Sequence, residues 1–144
     1  LYSLTPDNTR EVGDLDSINS FSKLINMSAV NFYVLEGDKI IGFVICFREG
    51  SEYKSPNYNY FKNKEDKFLY IDRVVIKESH RRRGAGSYLY KHLYDFVKKE
   101  GIPLCCEVNI IPKNQISLDF HYKKGFKDDG ECDFEDHSVR YLKK

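Results

Sequence analysis

The sequence predicts a mixed α/β (α+β) fold in which helices pack on a sheet. Its periodic segments follow the order helix, hairpin, strand, helix, strand, helix, hairpin, which is typical of that class. Strands rich in β-branched and aromatic residues alternate with segments whose apolar residues recur every three or four positions. The 144 residues, 41% of them hydrophobic, fit one domain with its own core. We therefore expect a single domain over residues 1–144.

In the N-terminal half, the pattern changes from helix to hairpin to loop. Apolar residues at helical spacing predict a helix over residues 15–27. Two apolar runs, residues 31–35 and 40–47, flank a Glu-Gly-Asp-Lys turn and predict a β-hairpin. Residues 48–66 are polar and aromatic and contain a glycine and a proline, which indicates a long loop. Such loops are uncommon unless they are functional or disordered.

The C-terminal half alternates strands and helices. Residues 68–76 form a strong strand pattern, and residues 84–100 carry a helical apolar stripe that ends at a glycine. Residues 103–110 predict a second buried strand, and residues 114–124 a short helix. The tail, residues 126–142, alternates apolar and polar side chains and predicts a closing hairpin.

Composition excludes several functional classes. The net charge is +1, so no overall field favours nucleic acid or a lipid surface. No apolar run is long enough to span a membrane. The adjacent pair Cys105-Cys106 fits neither a redox CxxC nor a zinc site, so we expect no metal. Four cysteines without such a pattern are typical of a reduced cytoplasm, which is the expected location.

The most informative segment is a basic turn that joins the strand at 68–76 to the helix at 84–100. It reads Arg81-Arg82-Arg83-Gly84-Ala85-Gly86-Ser87. A helix N-terminus attracts phosphate through its unpaired N–H groups and partial positive charge, and glycine lets a ligand approach the backbone closely. On composition alone, a solvated basic helix cap explains these residues equally well. A dinucleotide site fits less well because GxGxxG is incomplete.

The spacing of this turn resembles a family signature. Arg81-x-x-Gly84-x-Gly86 resembles the (Gln/Arg)-x-x-Gly-x-(Gly/Ala) motif of the GNAT acetyltransferases. A downstream set resembles that family's second motif, N-x-x-A-x-x-x-Y-x-x-x-G-F: Asn114, Ser117, His121, Gly125 and Phe126. The two motifs lie in the expected order within residues 68–126, and residues 55–61 and 68–73 resemble a poorly characterised bacterial subgroup. The subgroup resemblance brings no substrate with it.

The resemblance implies a fold and a co-substrate. The fold would be a mixed, mostly antiparallel sheet with a splayed central parallel strand pair and helices on both faces. The co-substrate would be acetyl-CoA, with its pyrophosphate on the turn and its pantetheine along the end of the central strand. The residues implied to bind it are Val74, Val75, Ile76, Arg81, Arg82, Arg83, Gly84, Ala85, Gly86, Ser87, Asn109, Asn114, Ser117 and His121.

Direct attack of an amine on the thioester requires a base and a proton donor for the leaving thiolate. Asp72 and Glu107 are the candidate bases, because a carboxylate within an apolar strand is costly unless it is paired or hydrated. An ion pair with Arg73 is an equally good explanation of Asp72. The motif places His121 where the family usually has a tyrosine acid, and a register shift of one residue would place Tyr122 there instead. A histidine that only bonds within the helix packing is the alternative.

These residues predict an N-acetyltransferase that acts on a primary amine of a small molecule or peptide. Tyr58, Tyr60 and Phe61 are the candidate acceptor-binding residues, although packing on the sheet or a dimer contact explains them as well. A second hypothesis is a module that binds or senses acyl-CoA without turnover. Neither nucleic acid nor membrane is an expected partner, and a homodimer is compatible with the family.

Overall fold

The computed structural model describes residues 18–81 and 84–144, with side chains from residue 23 onward in the first helix. Residues 15–17 of the predicted first helix, and Arg82 and Arg83 of the predicted phosphate turn, lie outside the described residues. The helices are α1 (Ile18–Met27), α2 (Pro56–Lys62), α3 (Ala85–Glu100) and α4 (Gln115–Lys123), with a short 3₁₀ turn at Glu78–His80. The strands are β1 (Val30–Glu36), β2 (Lys39–Arg48), β3 (Leu69–Ile76), β4 (Leu104–Ile111), β5 (Lys127–Asp133) and β6 (Ser138–Lys143).

The six described strands form one sheet in the order β1-β2-β3-β4-β6-β5. All neighbours are antiparallel except β3 and β4, which run parallel. That parallel pairing involves only Leu69 with Leu104 and Tyr70 with Cys105. Beyond Tyr70 the two strands separate, so the predicted mostly antiparallel sheet with a splayed central pair is confirmed.

Helices cover both faces of the sheet, as predicted. On one face, α3 contributes Leu89, Leu93 and Val97 to a core over the central strands, and α4 adds Leu118. On the opposite face, Leu24 of α1 and the α2 aromatics pack on a second core that contains Phe43, Phe47, Tyr70 and Tyr141. The spacing of three and four along α3 explains this placement, because those positions share one side of a helix.

The prediction that residues 48–66 form one long loop is wrong, because the segment contains α2. The Ser55 side chain accepts a hydrogen bond from the Tyr58 N–H, and Pro56 occupies the first turn. Both residues favour a helix start, since proline has no N–H to lose there. Tyr58 and Phe61, three residues apart, then point together into the second core, where both side chains are fully buried.

Glycines define both ends of α3. Gly84 precedes the helix with φ +86°, and Gly101 ends it with φ +70° and an N–H that bonds to the Lys98 carbonyl oxygen. These left-handed conformations are strained for residues with a side chain. The turn before α3 therefore has a sharply reversed backbone that glycine alone adopts readily.

Candidate functional site

A cleft of about 290 Å³ opens where β3 and β4 separate. Its walls come from the two strands, from Tyr90 on α3 and from α4 with the residue before it. Because parallel pairing stops at Tyr70, the edge of β3 from Ile71 to Ile76 that faces β4 has no strand partner within the described part of the chain. The predicted site residues that line the cleft are Asp72, Val74, Glu107, Asn109, Asn114, Ser117 and His121.

Glu107 projects from β4 into the cleft and is partly buried. Its Oε1 accepts a hydrogen bond of 2.6 Å from the Tyr70 hydroxyl on β3. Removal from water raises the pKa of Glu107 to about 8; the bond from Tyr70 opposes the rise, and the charge of Asp72 adds to it. A carboxyl group with such a pKa can take a proton near neutral pH, which is what a general base requires.

Asp72 lies on the same strand as Tyr70 and keeps two strong partners. Its Oδ1 accepts from the Tyr53 hydroxyl at 2.6 Å, and its Oδ2 forms an ion pair with Arg73 Nε at 2.8 Å. The ion pair expected as the structural explanation of Asp72 is therefore present. Both carboxylate oxygens of Asp72 therefore already have a strong partner.

His121 is buried and both of its ring nitrogens are bonded. Nδ1 lies 2.7 Å from the Ser117 carbonyl oxygen, and Nε2 lies 2.7 Å from the Tyr90 hydroxyl. A carbonyl oxygen only accepts, so Nδ1 carries the proton in that bond. Burial lowers the pKa of His121, and the bond to Ser117 opposes the change. The ring is thus neutral near pH 7, and its Nε2 accepts from Tyr90.

Tyr122, the alternative acid, lies outside the cleft. Its ring is 38% exposed, and its hydroxyl donates to Asp128 Oδ1 at 2.6 Å and accepts from Arg140. The motif register that places His121 at the cleft is therefore the one that the fold adopts.

The turn before α3 borders a second hollow of about 350 Å³, next to Arg81, Ser87 and Phe120. A Cβ built on Gly84 would meet nothing within 4 Å, and one on Gly86 would meet only the Phe120 ring, at 3.9 Å. The space beside Gly84 is therefore open, and Gly86 touches only one ring. Arg81 Nε donates to the Ile76 carbonyl oxygen at 3.3 Å, which holds the turn against the end of β3.

The predicted co-substrate residues at the end of β3 face different surroundings. Val75 turns its side chain into the second core, so only its backbone is available at the strand edge. Val74, its neighbour, lines the cleft, and Ile76 borders the hollow at the turn. Side-chain alternation along a strand explains the difference.

The three candidate acceptor residues are held in packing interactions. Tyr58 and Phe61 have no exposed surface, and the Tyr58 hydroxyl donates to the Arg48 carbonyl oxygen at 2.7 Å. Tyr60 stacks on Tyr141 with ring centroids 3.8 Å apart and bonds to Asp129. These positions favour the packing explanation over contact with an acceptor.

Cys106 also lines the cleft, but burial raises the pKa of its thiol well above the ordinary value. It is therefore poorly suited to act as a nucleophile. Within residues 18–81 and 84–144, no group of three or more His, Cys, Asp or Glu side chains has a metal-binding arrangement. The described helices include none with the length and apolar character needed to cross a membrane.

Sequence reasoning missed the three tyrosines that position the polar groups: Tyr53, Tyr70 and Tyr90. Each hydroxyl bonds to a partner 19 to 37 positions away in the chain. Local periodicity cannot predict a contact between residues so far apart. The sequence pointed to such tyrosines only through its high aromatic content, with 11 tyrosines.

Comparison with solved structures shows where this fold recurs. The ribosomal-protein-S18-alanine N-acetyltransferase from Escherichia coli superposes with a TM-score of 0.72 at 16% identity, over 96% of this chain and 83% of that one. Naa50 from Arabidopsis thaliana, bound to the bisubstrate analogue CoA-Ac-MVNAL, gives a TM-score of 0.72 at 18% identity, over 99% and 90%. An aminoglycoside 6'-N-acetyltransferase complexed with coenzyme A gives 0.67 at 14%, over 98% and 85%.

Among curated proteins, a 62-residue segment is 40% identical to part of a protein described as probable cobyric acid synthase, from Methanococcus maripaludis. The match covers 43% of this chain but only 10% of that relative. The sequence model of the acetyltransferase (GNAT) family matches residues 2–126. That match takes in the glycine turn, both strands of the cleft and α4. The chain therefore belongs to the acetyltransferase (GNAT) family.

Proposed function

We propose that the protein is an N-acetyltransferase that transfers the acetyl group of acetyl-CoA to a primary amine by direct attack within a ternary complex. The observation that carries the proposal is the position of Glu107. A carboxyl group with a pKa of about 8 lines the cleft at the point where β3 and β4 separate. A group of that kind matches the need to remove a proton from an ammonium group near neutral pH.

The residues around the cleft fit acetyl-CoA as a substrate. The open N-terminus of α3, with Gly84 in a left-handed conformation, suits the pyrophosphate. The unpaired edge of β3 suits the amide groups of pantetheine, which can bond to it as a strand would. Asn114 and Ser117 provide polar groups on the α4 side of the cleft.

The proposed reaction needs one base and one leaving group. Glu107 takes one proton from the acceptor ammonium, and the amine nitrogen attacks the thioester carbonyl carbon. An N–H at the open edge of β3 stabilises the oxyanion. The C–S bond then breaks to release CoA thiolate, and the nitrogen loses its second proton, which balances the proton that the thiolate takes up. Burial keeps the pKa of Glu107 high, and the charge of Asp72, fixed by Arg73 and Tyr53, adds to the rise. The products are the acetylated amine and CoA.

The acid that protonates the thiolate is proposed to be His121, which gives up the Nδ1 proton that the Ser117 carbonyl oxygen now accepts while its Nε2 takes the proton of the Tyr90 hydroxyl. The second proton of the amine nitrogen then restores Tyr90. Both ring nitrogens are already bonded, so the ring must release the Ser117 carbonyl oxygen to act as the acid. The same geometry supports the second candidate, a module that binds acyl-CoA without turnover. In that case Tyr90 and Ser117 would fix His121 as a structural element.

The test is a titration of the purified protein with acetyl-CoA by calorimetry, followed by a screen of amines for CoA thiol release. Peptide N-termini and aminoglycosides belong in the screen, because the proteins of similar fold include one bound to the bisubstrate analogue CoA-Ac-MVNAL and one named an aminoglycoside 6'-N-acetyltransferase. Binding with thiol release supports the enzyme; binding without release for any amine supports the sensing module. Absence of binding at millimolar acetyl-CoA contradicts both. A homodimer and a cytoplasmic location remain predictions.

A further inference from the structure

A larger cavity, of about 1040 Å³, lies on the face of the sheet that carries α1 and α2. Its walls are the second half of α1, the segment 50–54 after β2, and the exposed side of α2. Among the described residues, none from the glycine turn or from α4 lines it. It is thus a separate cavity from the cleft proposed for the thioester.

The charged residues of this cavity are mostly cationic. Three lysines line it, Lys23, Lys54 and Lys62, against one carboxylate, Glu52. All three lysines are exposed, and none forms an ion pair or a side-chain hydrogen bond with the described residues. After α2, by contrast, Lys64 pairs with Asp129 and Glu65 with Lys143. A wall with an excess of positive charge attracts an anionic ligand.

Tyr53 joins this cavity to the catalytic cleft. Its side chain lines the cavity, while its hydroxyl donates to Asp72 Oδ1, a residue that lines the cleft. The ring stacks on Phe47 with centroids 4.0 Å apart, so the link is held in place. Beyond Tyr53, the cleft presents the carboxyl groups of Asp72 and Glu107. The two hollows thus lie on either side of Tyr53 with opposite charge, lysines in the cavity and carboxyl groups in the cleft.

From this polarity we infer that the cavity binds the acceptor, and that the acceptor is a small amine with an anionic group, a carboxylate or a phosphate, at its other end. The lysines hold the anion, and the amine extends past Tyr53 towards Glu107. A molecule with both charges is oriented by the two sets of residues, because the reverse orientation places like charges together. This inference rests on the proposed acetyltransferase function.

The test compares acceptors that differ only in the anion. An ω-amino acid series from β-alanine to ε-aminocaproate is assayed beside the matching amides, and phosphoethanolamine beside ethanolamine. We expect kcat/KM to be at least about tenfold higher for the anionic member of the best pair, equivalent to ~1.4 kcal/mol. The first set identifies carboxylate recognition and the second phosphate recognition. Equal values for every pair overturn the inference.

The lysines are tested together as the variant Lys23→Gln/Lys54→Gln/Lys62→Gln. This variant should lose the preference for the anionic acceptor through an increase in KM, with kcat and the Kd of acetyl-CoA unchanged. A preference that persists in this variant overturns the assignment of the anion to this cavity.

The matched control is Lys67→Gln/Lys98→Gln/Lys99→Gln, which removes three exposed lysines that do not line the cavity. Its change in net charge is identical, so it corrects for long-range electrostatics. We expect it to keep the wild-type preference.

Failure of the proposed function can be distinguished from failure of this inference. If no amine releases thiol, calorimetry of ε-aminocaproate and its amide is done without acetyl-CoA. Binding of the acid alone, lost in the lysine variant of the cavity, supports the anion site even though the enzyme proposal has failed. Equal binding of both compounds, or of neither, overturns it.

Discussion

Replacing Glu107 by glutamine tests both the stability and the chemistry of the cleft. Glutamine has nearly the same shape, and its carbonyl oxygen can still accept the bond from Tyr70. It cannot ionise. The substitution therefore removes the titration of this site with little change in packing.

The direction of the change in unfolding free energy follows from the raised pKa of Glu107. A carboxyl group that binds its proton more tightly in the folded state stabilises the fold below its ordinary pKa of 4.5 and loses that contribution as pH rises to about 8. The gap between these values corresponds to at most about 5 kcal/mol, at ~1.36 kcal/mol for each pH unit. The glutamine variant does not lose this contribution. Its free energy of unfolding, relative to wild type, should rise steadily between pH 5 and pH 8 and then level off.

Urea unfolding at pH 5, 6, 7, 8 and 9 measures this difference, with Glu100→Gln at the exposed end of α3 as the control. The control should follow the wild type at every pH. Glu107→Gln should also abolish the rise in kcat/KM that we expect for wild type as pH increases towards 8. Stability curves of Glu107→Gln and wild type that stay parallel within about 0.5 kcal/mol, the usual effect of a surface change, would refute the reasoning.

Three further predictions concern the co-substrate turn, the acid and α2. Gly84→Glu should abolish acetyl-CoA binding in calorimetry because it adds a negative side chain where phosphate is expected. The control is Gly101→Glu, which introduces a similar backbone strain at the other end of α3 and should keep the wild-type Kd. His121→Ala should lower kcat by about ten- to ten-thousand-fold with little change in the Kd of acetyl-CoA. Tyr122→Phe should keep the wild-type kcat in the same stopped-time assays. The opposite pattern assigns the acid to Tyr122. Ser55→Ala should lower the free energy of unfolding by about 1 kcal/mol in urea, and no loss would show that its cap does not stabilise α2.

The extent to which sequence predicted the fold depended on how local the signal was. The strands, α3 and α4 follow from periodicity and from glycines at helix ends, which are properties of neighbouring residues. The start of α2 also has a local pattern, Ser55 followed by Pro56, but a proline in a polar segment indicates a loop as readily as a helix start. Its aromatic pair, three residues apart, is too short a pattern to predict a helix alone.

At the candidate site, too, local sequence patterns predicted some features and missed those that depend on distant residues. Asp72 and Glu107 could be found from their strands because a carboxylate among apolar residues is conspicuous. What sets their protonation could not be found, since Tyr53 and Tyr70 reach them across 19 and 37 positions. The pKa of Glu107 depends on that tertiary environment and not on the residues beside it in sequence.

The short pairing between β3 and β4 has a mechanical consequence. The sheet consists of two three-stranded halves, β1-β2-β3 and β4-β6-β5, and only two residue pairs connect their backbones. Helix α2 packs across the boundary between the two halves. Tyr58 contacts Tyr70 of the first half, and Tyr60 stacks on Tyr141 of the second. On the other face, Leu89, Leu93 and Val97 of α3 pack in one core with apolar residues of both β3 and β4. The two halves are thus joined mainly by side chains on both faces, and a ligand strand bound in the open end would add backbone hydrogen bonds between them.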